Sequence, residues 1–298
     1  MAGLKELKNR LLTVKQTEVM TSAMKMVSAS KLRKAQNALY KAKAFAISVS
    51  DVYSRAGGEL SAGQTSVAAS VGRQSVKKVL IVVLTSNKGL CGSFNMSVCK
   101  EAEKLYRQYI NAELLCIGSK GYEYFNARKY PVCKEYDARA EFKTYSEVAA
   151  LSRSLSEWYG KSIYDKIEVV YSHPVNAMTT ERRTVSLLPL QQVDFSAGRK
   201  TVQSANVAVK NINIDNILFF PSRAEVARTI VPLMVASLLY FFMMENSVSE
   251  HGARMTAMNQ ATDNAQTLGR KLNLTYNKLR QQVITNELLE IISGANAL

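Results

Sequence analysis

Apolar residues recur at steps of three and four at both ends of this chain, whereas its middle carries them in short unbroken runs. Leu4, Leu7, Leu11 and Val14 open the first stripe, which passes Ala23, Met24 and Val27. It resumes as Ala35, Ala38, Ala42, Phe45, Val49 and Val52 until Gly57 and Gly58 end it. With no proline before Pro131, the pattern predicts one helix over residues 2–56, roughly 80 Å long at about 1.5 Å per residue. A second stripe, Met258, Ala261, Ala265, Leu268, Leu272, Tyr276, Leu279 and Val283, steps by close to 3.5 residues. That period supercoils to the left.

A helix this long draws most of its stability from whatever covers its apolar stripe. Each end is the natural partner of the other. A compact middle domain returns the chain near its point of departure, so antiparallel pairing is the simplest geometry. A helical bundle has the same stripes, and periodicity alone leaves it open.

Between the helices, Val79–Leu84 is a continuous aliphatic run of the kind buried on both faces of a sheet. Further strands are expected over 114–117, 167–171 and 184–188, with a helix over 145–159, which makes an α/β sheet domain. The Gly-, Ser- and Ala-rich stretch 57–75 and the Asn-, Gln- and Ser-rich stretch 191–220 read as connections, with 217–220 either one more strand or a packing segment. The division expected is a first helix over 1–56, an α/β domain over 76–220 and a second helix over 221–298, kinked near Pro232.

At 298 residues the chain holds one good core plus an extension, or two domains. The net charge of +15 is concentrated at the start: residues 1–56 carry eleven Lys or Arg against Glu6, Glu18 and Asp51. That points to an acidic partner surface or to a solvated helix face. A basic, nucleic-acid-binding coiled coil is the alternative, although zinc-ligand spacing, an RNA-binding aromatic signature and a compact recognition helix are all missing from the sequence. Cys91, Cys99, Cys116 and Cys133 show no CxxC spacing and read as free thiols of a reducing compartment. The apolar run 230–244 is fifteen residues long and contains Pro232, which is short for a membrane span and fits a buried helix. No signal peptide is visible ahead of Leu4.

Chemistry is thin. The loop 85–95 sets glycines between a strand and a helix, yet it matches neither GxxxxGK followed by Ser or Thr nor GxGxxG. A tight turn that needs glycine for backbone reasons is the better reading. His173 and His251 are the only histidines, and solvent exposure at a strand end and on a helix accounts for both. Cys91 has no histidine near it in sequence. No catalytic residue, metal ligand or cofactor site is expected.

Several motifs resemble the gamma subunits of the F-type, proton-driven rotary ATP synthase: TSAMKMV at 21–27 with SKLRK at 30–34, KGLCG at 88–92, and GSKG at 118–121. The stretch 254–295 adds ATDNA at 261–265, YNK at 276–278, RQ at 280–281 and ELLEI at 287–291. The resemblance runs end to end and is weakest over 57–75 and 191–220. It implies a long antiparallel coiled coil of the terminal helices, forming a rotor shaft within a ring of alpha and beta subunits. It also implies a Rossmann-like α/β domain seated on the c-ring and holding the epsilon subunit. Nucleotide chemistry would belong to the beta subunits. By matched position, Met24, Lys25, Arg254, Arg280, Gln281, Thr285 and Glu287 would meet the levers and catch loops of the ring, and 291–298, beyond the last charge at Glu290, would suit an apolar bearing. Gly269 departs from the family, which usually has a larger residue there. The cysteine-bearing insertion of chloroplast relatives is absent, since every cysteine precedes Lys134, so thiol control is not expected. The implied location is peripheral, on the cytoplasmic face of a bacterial plasma membrane, with the matrix side of the mitochondrial inner membrane as the alternative.

Overall fold

A computed structural model describes residues 2–57, 78–133, 144–176, 179–190, 220 and 223–295. The stretches 58–75 and 191–219, expected to be connections, lie outside the described residues. Element order is α1 (Ala2–Gly57), β1 (Val79–Leu84), α2 (Phe94–Gln108), β2 (Ala112–Ile117), α3 (Ser119–Ala127), α4 (Tyr145–Gly160), β3 (Lys166–Pro174), β4 (Thr180–Leu188) and α5 (Arg223–Ala295). The chain forms two compact units. One consists of Met1–Ser30 with Arg254–Leu298, the other of Lys31–Ala253.

In the larger unit, four strands make one sheet in the order β2-β1-β3-β4, with β1 parallel to both neighbours and β4 antiparallel to β3. Both faces are covered, which is why β1 is apolar throughout. Val79, Ile81 and Val83 meet Val98, Cys99 and Ala102 of α2 and Phe125 of α3 on one face. On the other, Leu80, Val82 and Leu84 pack with Val148, Leu151, Leu155 and Tyr159, the stripe that α4 presents at helical spacing. Glu147 starts α4 by reaching back to the Thr144 amide at 3.0 Å.

The same face takes the later part of α1, through Ala42, Ala46 and Val49, and the first part of α5, through Met234 to Met244. The apolar run at 230–244 is therefore core. A window of α5 is apolar and long enough to cross a membrane, but 72% of it is buried within the fold. Pro232 lies inside α5, whose helical assignment continues through it.

His173 corrects the exposure expected of it. Its side chain is 12% exposed and its Nδ1 lies 2.9 Å from Glu245 Oε1 on α5. Neighbouring Ser172 gives its amide to Asn246 Oδ1 at 3.2 Å, and its carbonyl accepts from Ser249 Oγ at 2.8 Å. Tyr171 stacks on Phe242, and burial, reinforced by the Glu245 carboxylate, pushes its hydroxyl pKa upward. His251 is half-buried and engaged rather than free.

Candidate functional site

The glycine loop after β1 is a closed knot of hydrogen bonds. Asn95 Oδ1 accepts from the Ser86 amide at 3.0 Å, while Asn95 Nδ2 donates to Ser86 Oγ and lies 3.2 Å from Cys91 Sγ. Asn87 Oδ1 accepts from the Ser119 amide at 2.9 Å, and Thr85 Oγ1 accepts from the Gly121 amide at 2.9 Å. Of the amides at the start of α3 that could cradle a phosphate, those of Ser119 and Gly121 are thus bound by this chain's own side chains and that of Lys120 by the Ser86 carbonyl. Gly92 takes a φ of 61°, as a backbone-driven glycine should, but Leu90 also enters the left-handed region at 62°. Among the described residues, no group of three or more His, Cys, Asp or Glu is placed to hold a metal ion.

Cys91, Cys99, Cys116 and Cys133 are all buried, and none forms a disulfide. Burial pushes the thiols of Cys99 and Cys116 up to about 12 from 9.0. Glu103 moves the other way: the hydroxyl of Tyr130, at 2.7 Å, holds its carboxylate below the ordinary value, with Arg107 and Tyr124 assisting. These groups tie α2 to α3 and its following turn.

The smaller unit holds all seven residues that the resemblance singles out. Here α1 and α5 run antiparallel, since Lys25 meets Asn259, Thr21 meets Thr262, and a Cβ on Gly269 would lie 3.8 Å from Val14 Cγ1. The residues turned inward on α5 are Met258, Thr262, Ala265, Gly269, Leu272, Tyr276, Leu279 and Val283, in steps of four and three. On α1 they are Leu4, Leu7, Leu11, Val14, Glu18, Thr21, Met24 and Ser28. The expected seam is corrected at Ala23, Val27 and Leu268, which are exposed. Thr21 and Ser28 are buried on α1, Gly269 turns inward beside Leu268, and Thr262 is buried next to a half-buried Ala261. Val27 and Leu268 stand 55% and 44% exposed.

Met24 is half-buried beside Lys25, whose Nζ donates to Asn259 Oδ1 at 2.6 Å. Arg254 is half-buried and engaged. Arg280, Gln281, Thr285 and Glu287 are exposed on α5, where Thr285 Oγ1 donates to the Gln281 carbonyl at 2.9 Å. Beyond them Leu288, Leu289, Ile291 and Ile292 are each more than half exposed. Apolar patterning missed Asn259, Thr262 and Thr21. The signal for Thr21 and Thr262 was a step of three and four that continues only if polar residues are allowed into it.

The sequence model of the family described as ATP synthase matches residues 3–298. A protein of Flavobacterium johnsoniae named ATP synthase gamma chain is 40% identical over 300 residues, covering 100% of this chain and 99% of the relative. One of Cytophaga hutchinsonii with the same name is 35% identical over 305 residues, covering 100% and 99%. Among solved structures, a chain in the Euglena gracilis mitochondrial ATP synthase (OSCP/F1/c-ring, rotational state 3) is similar with a TM-score of 0.67 at 18% identity, covering 99% of this chain and 94% of that one. A chain from the central stalk and c-ring of the Tetrahymena thermophila mitochondrial enzyme reaches 0.54 at 23% identity, covering 81% and 99%.

Proposed function

The chain belongs to the ATP synthase gamma chain family, and from that premise we propose that it is the central-stalk rotor subunit of an F-type ATP synthase. It couples proton-driven rotation of a c-ring to conformational change at catalytic beta subunits. The observation that carries this reading is the full-length family match joined to an antiparallel pair of chain ends. Their exposed surfaces suit a partner ring. Catalysis belongs to the ring, and this chain is the mechanical coupler.

Alpha and beta subunits surround the helix pair, while the α/β unit meets the c-ring and the epsilon subunit. Met24, Lys25, Arg254, Arg280, Gln281, Thr285 and Glu287 form the contacts with levers and catch loops. Each exposed ion pair contributes only about 0 to 1 kcal/mol, so successive contacts during rotation do not become deep traps. The basic excess of α1 is matched by acidic surfaces of the ring rather than by nucleic acid, and it steers assembly in a salt-dependent way. The uncharged, exposed end of α5 turns in an apolar collar, where an unpaired charge would be costly. The relatives at 35–40% identity are bacterial, which favours a peripheral position on the cytoplasmic face of a plasma membrane.

Affinity purification from gently solubilised membranes tests the assignment. Alpha, beta, epsilon and c subunits are expected with the tagged chain, and their absence would overturn it. For the contact set, Met24→Lys adds a cation at the lever. It is expected to reduce ATP-driven proton pumping several-fold relative to hydrolysis, with the complex still assembled. Unchanged pumping in membrane vesicles would remove Met24 from the contacts.

A further inference from the structure

From Ile230 to Met244, α5 carries no charge and packs into the core of the larger unit. Met234, Val235, Leu238, Leu239, Phe241 and Phe242 are all buried, so this stretch has no polar face to turn outward. Its most open stripe holds Leu233 and Tyr240. Turning the helix by one residue, about 100° at 3.6 residues per turn, would open Met234 and Phe241 in one direction or Leu239 in the other. Neither turn brings a charge inside over this stretch. Apolar burial is non-directional, so here it holds α5 against the sheet without firmly selecting one rotation.

The turn that follows is different. Glu245, Asn246 and Ser249 are buried polar residues, and all three meet the end of β3. Pairing of β3 with β1 stops at Val83 and Val170, whereas its pairing with β4 runs on to Pro174. Past Val170, side chains of α5 serve the strand instead: Asn246 Oδ1 accepts from the Ser172 amide at 3.2 Å, and Ser249 Oγ donates to the Ser172 carbonyl at 2.8 Å. Glu245 Oε1 lies 2.9 Å from His173 Nδ1 beside them. Ser237, buried earlier in the run, donates only to the Met234 carbonyl of its own helix. One residue of turn would undo the match to Ser172. It would present Glu245 with Val248, or Ser247 with Glu250, and neither Val248 nor a Glu250 carboxylate donates a hydrogen bond. A buried backbone carbonyl left without its donor is strongly unfavourable.

We infer that Asn246 and Ser249 are positioning residues for coupling: their two hydrogen bonds to the Ser172 backbone peg α5 to β3 at one rotation, so that a turn of the α/β unit passes into α5 without slip. This role rests on the reading of the chain as a rotor. Because α5 is one helix from Arg223 to Ala295, the element pegged at Asn246 is the one that carries Arg280, Gln281, Thr285 and Glu287. Hydrogen bonds weaken steeply with angle. The peg therefore resists twist where apolar contact by itself would let the helix slide.

Thermal angular spread measures the joint in the purified complex with its ring immobilised. A bead on Ile110→Cys, a fully exposed position of the α/β unit, reports the angle between that unit and the ring, and the four native cysteines are buried. The Asn246→Leu/Ser249→Ala variant removes both bonds with little change of volume. It is expected to roughly double the variance of that angle and to speed hydrogen exchange at the Ser172 amide about tenfold, while protons pumped per ATP hydrolysed fall several-fold. Ser249→Thr keeps the hydroxyl and should stay near the parent where Ser249→Ala does not, and this pair decides alone if the double variant does not assemble. An unchanged variance in the alanine-bearing variants, or a threonine variant as loose as the alanine one, overturns the peg. A wider variance with pumping per ATP unchanged overturns its part in coupling, as does an equal loss of pumping and hydrolysis, the mark of a merely structural role. If no alpha or beta subunits accompany the tagged chain, the rotor reading fails by itself, and exchange at Ser172 in the purified chain still judges the bonds.

Discussion

Thr85 explains two glycines that the sequence shows only as letters in a motif. A Cβ on Gly118 would sit 2.3 Å from the Thr85 carbonyl oxygen, and one on Gly121 would sit 2.7 Å from Thr85 Oγ1. Gly118 also holds a φ of 110°. Strain and overlap together predict that Gly118→Ala lowers stability by at least about 2 kcal/mol. Gly89→Ala, with nothing within 4 Å, should stay within about 0.5 kcal/mol of the parent, and denaturant titration of both would check the contrast. The buried thiols give a pH dependence. Folded Cys99 and Cys116 keep their protons to about 12, whereas the unfolded chain releases them near 9.0. Their stabilisation is complete below 9, and it is lost as pH rises through that window at about 1.4 kcal/mol per unit for each thiol. Unfolding temperatures that do not steepen their fall above pH 9, relative to Cys99→Ala/Cys116→Ala, would contradict this. A thiol's burial was legible from the strand pattern around Cys116, but the partner of His173 was not. It lies 72 positions away on α5, a separation that no local pattern encodes.

Strands and helices of the α/β unit were readable because each carries its own period. The burial of Val79–Leu84 is complete, as its aliphatic run requires, and α4 begins one residue after its capping threonine. The antiparallel pairing of β4 was not readable, since strand direction depends on a connection of a few residues rather than on the strand itself. In α1 and α5 the period was right and so was most of the phase: Leu4, Leu7, Leu11, Val14, Met258, Ala265, Leu272, Tyr276, Leu279 and Val283 turn inward as expected, and only Ala23, Val27 and Leu268 do not. Apolar scoring follows Val27 and Leu268, and it passes over Thr262 and Gly269. Gly269 therefore looks like a defect, yet it occupies the inner face beside Val14. A Cβ there would make ordinary contact at 3.8 Å, so Gly269→Ala should raise stability by up to about 1 kcal/mol through helix propensity. Thermal unfolding checks it, and a loss of stability would mean that the axes need the closer approach.

Of the two compact units, the larger is one continuous segment and the smaller is assembled from the two ends of the chain. The smaller one joins the first thirty residues to those from Arg254 onward, so neither partner helix completes its seam until the last residues are made. A lone amphipathic helix with so polar a middle is marginal in water. Deleting residues 254–298 is thus expected to remove more helical signal than the deleted residues supply, because residues 1–30 lose their cover. Far-UV circular dichroism measures this, and a loss proportional to the deletion alone would show α1 to be self-sufficient there. The basic excess of α1 belongs to the same scale. Thirty-nine Lys and Arg against twenty-four Asp and Glu set a long-range field that acts on a partner, whereas within the fold the acids and bases pair locally, as Lys166 does with Glu168 at 2.6 Å.

The amino-acid order by itself determined the helical ends, the α/β middle, the absence of phosphate and zinc motifs, and the family, because periods, turn residues and motifs are local properties. Tertiary structure alone decided that Thr21, Ser28 and Thr262 join the buried seam, that β4 runs antiparallel, that Asn95 and Asn87 accept from the Ser86 and Ser119 amides, and that His173 meets Glu245. Those outcomes are competitions between near-equal local choices. They are resolved only when residues far apart in sequence come within hydrogen-bonding distance.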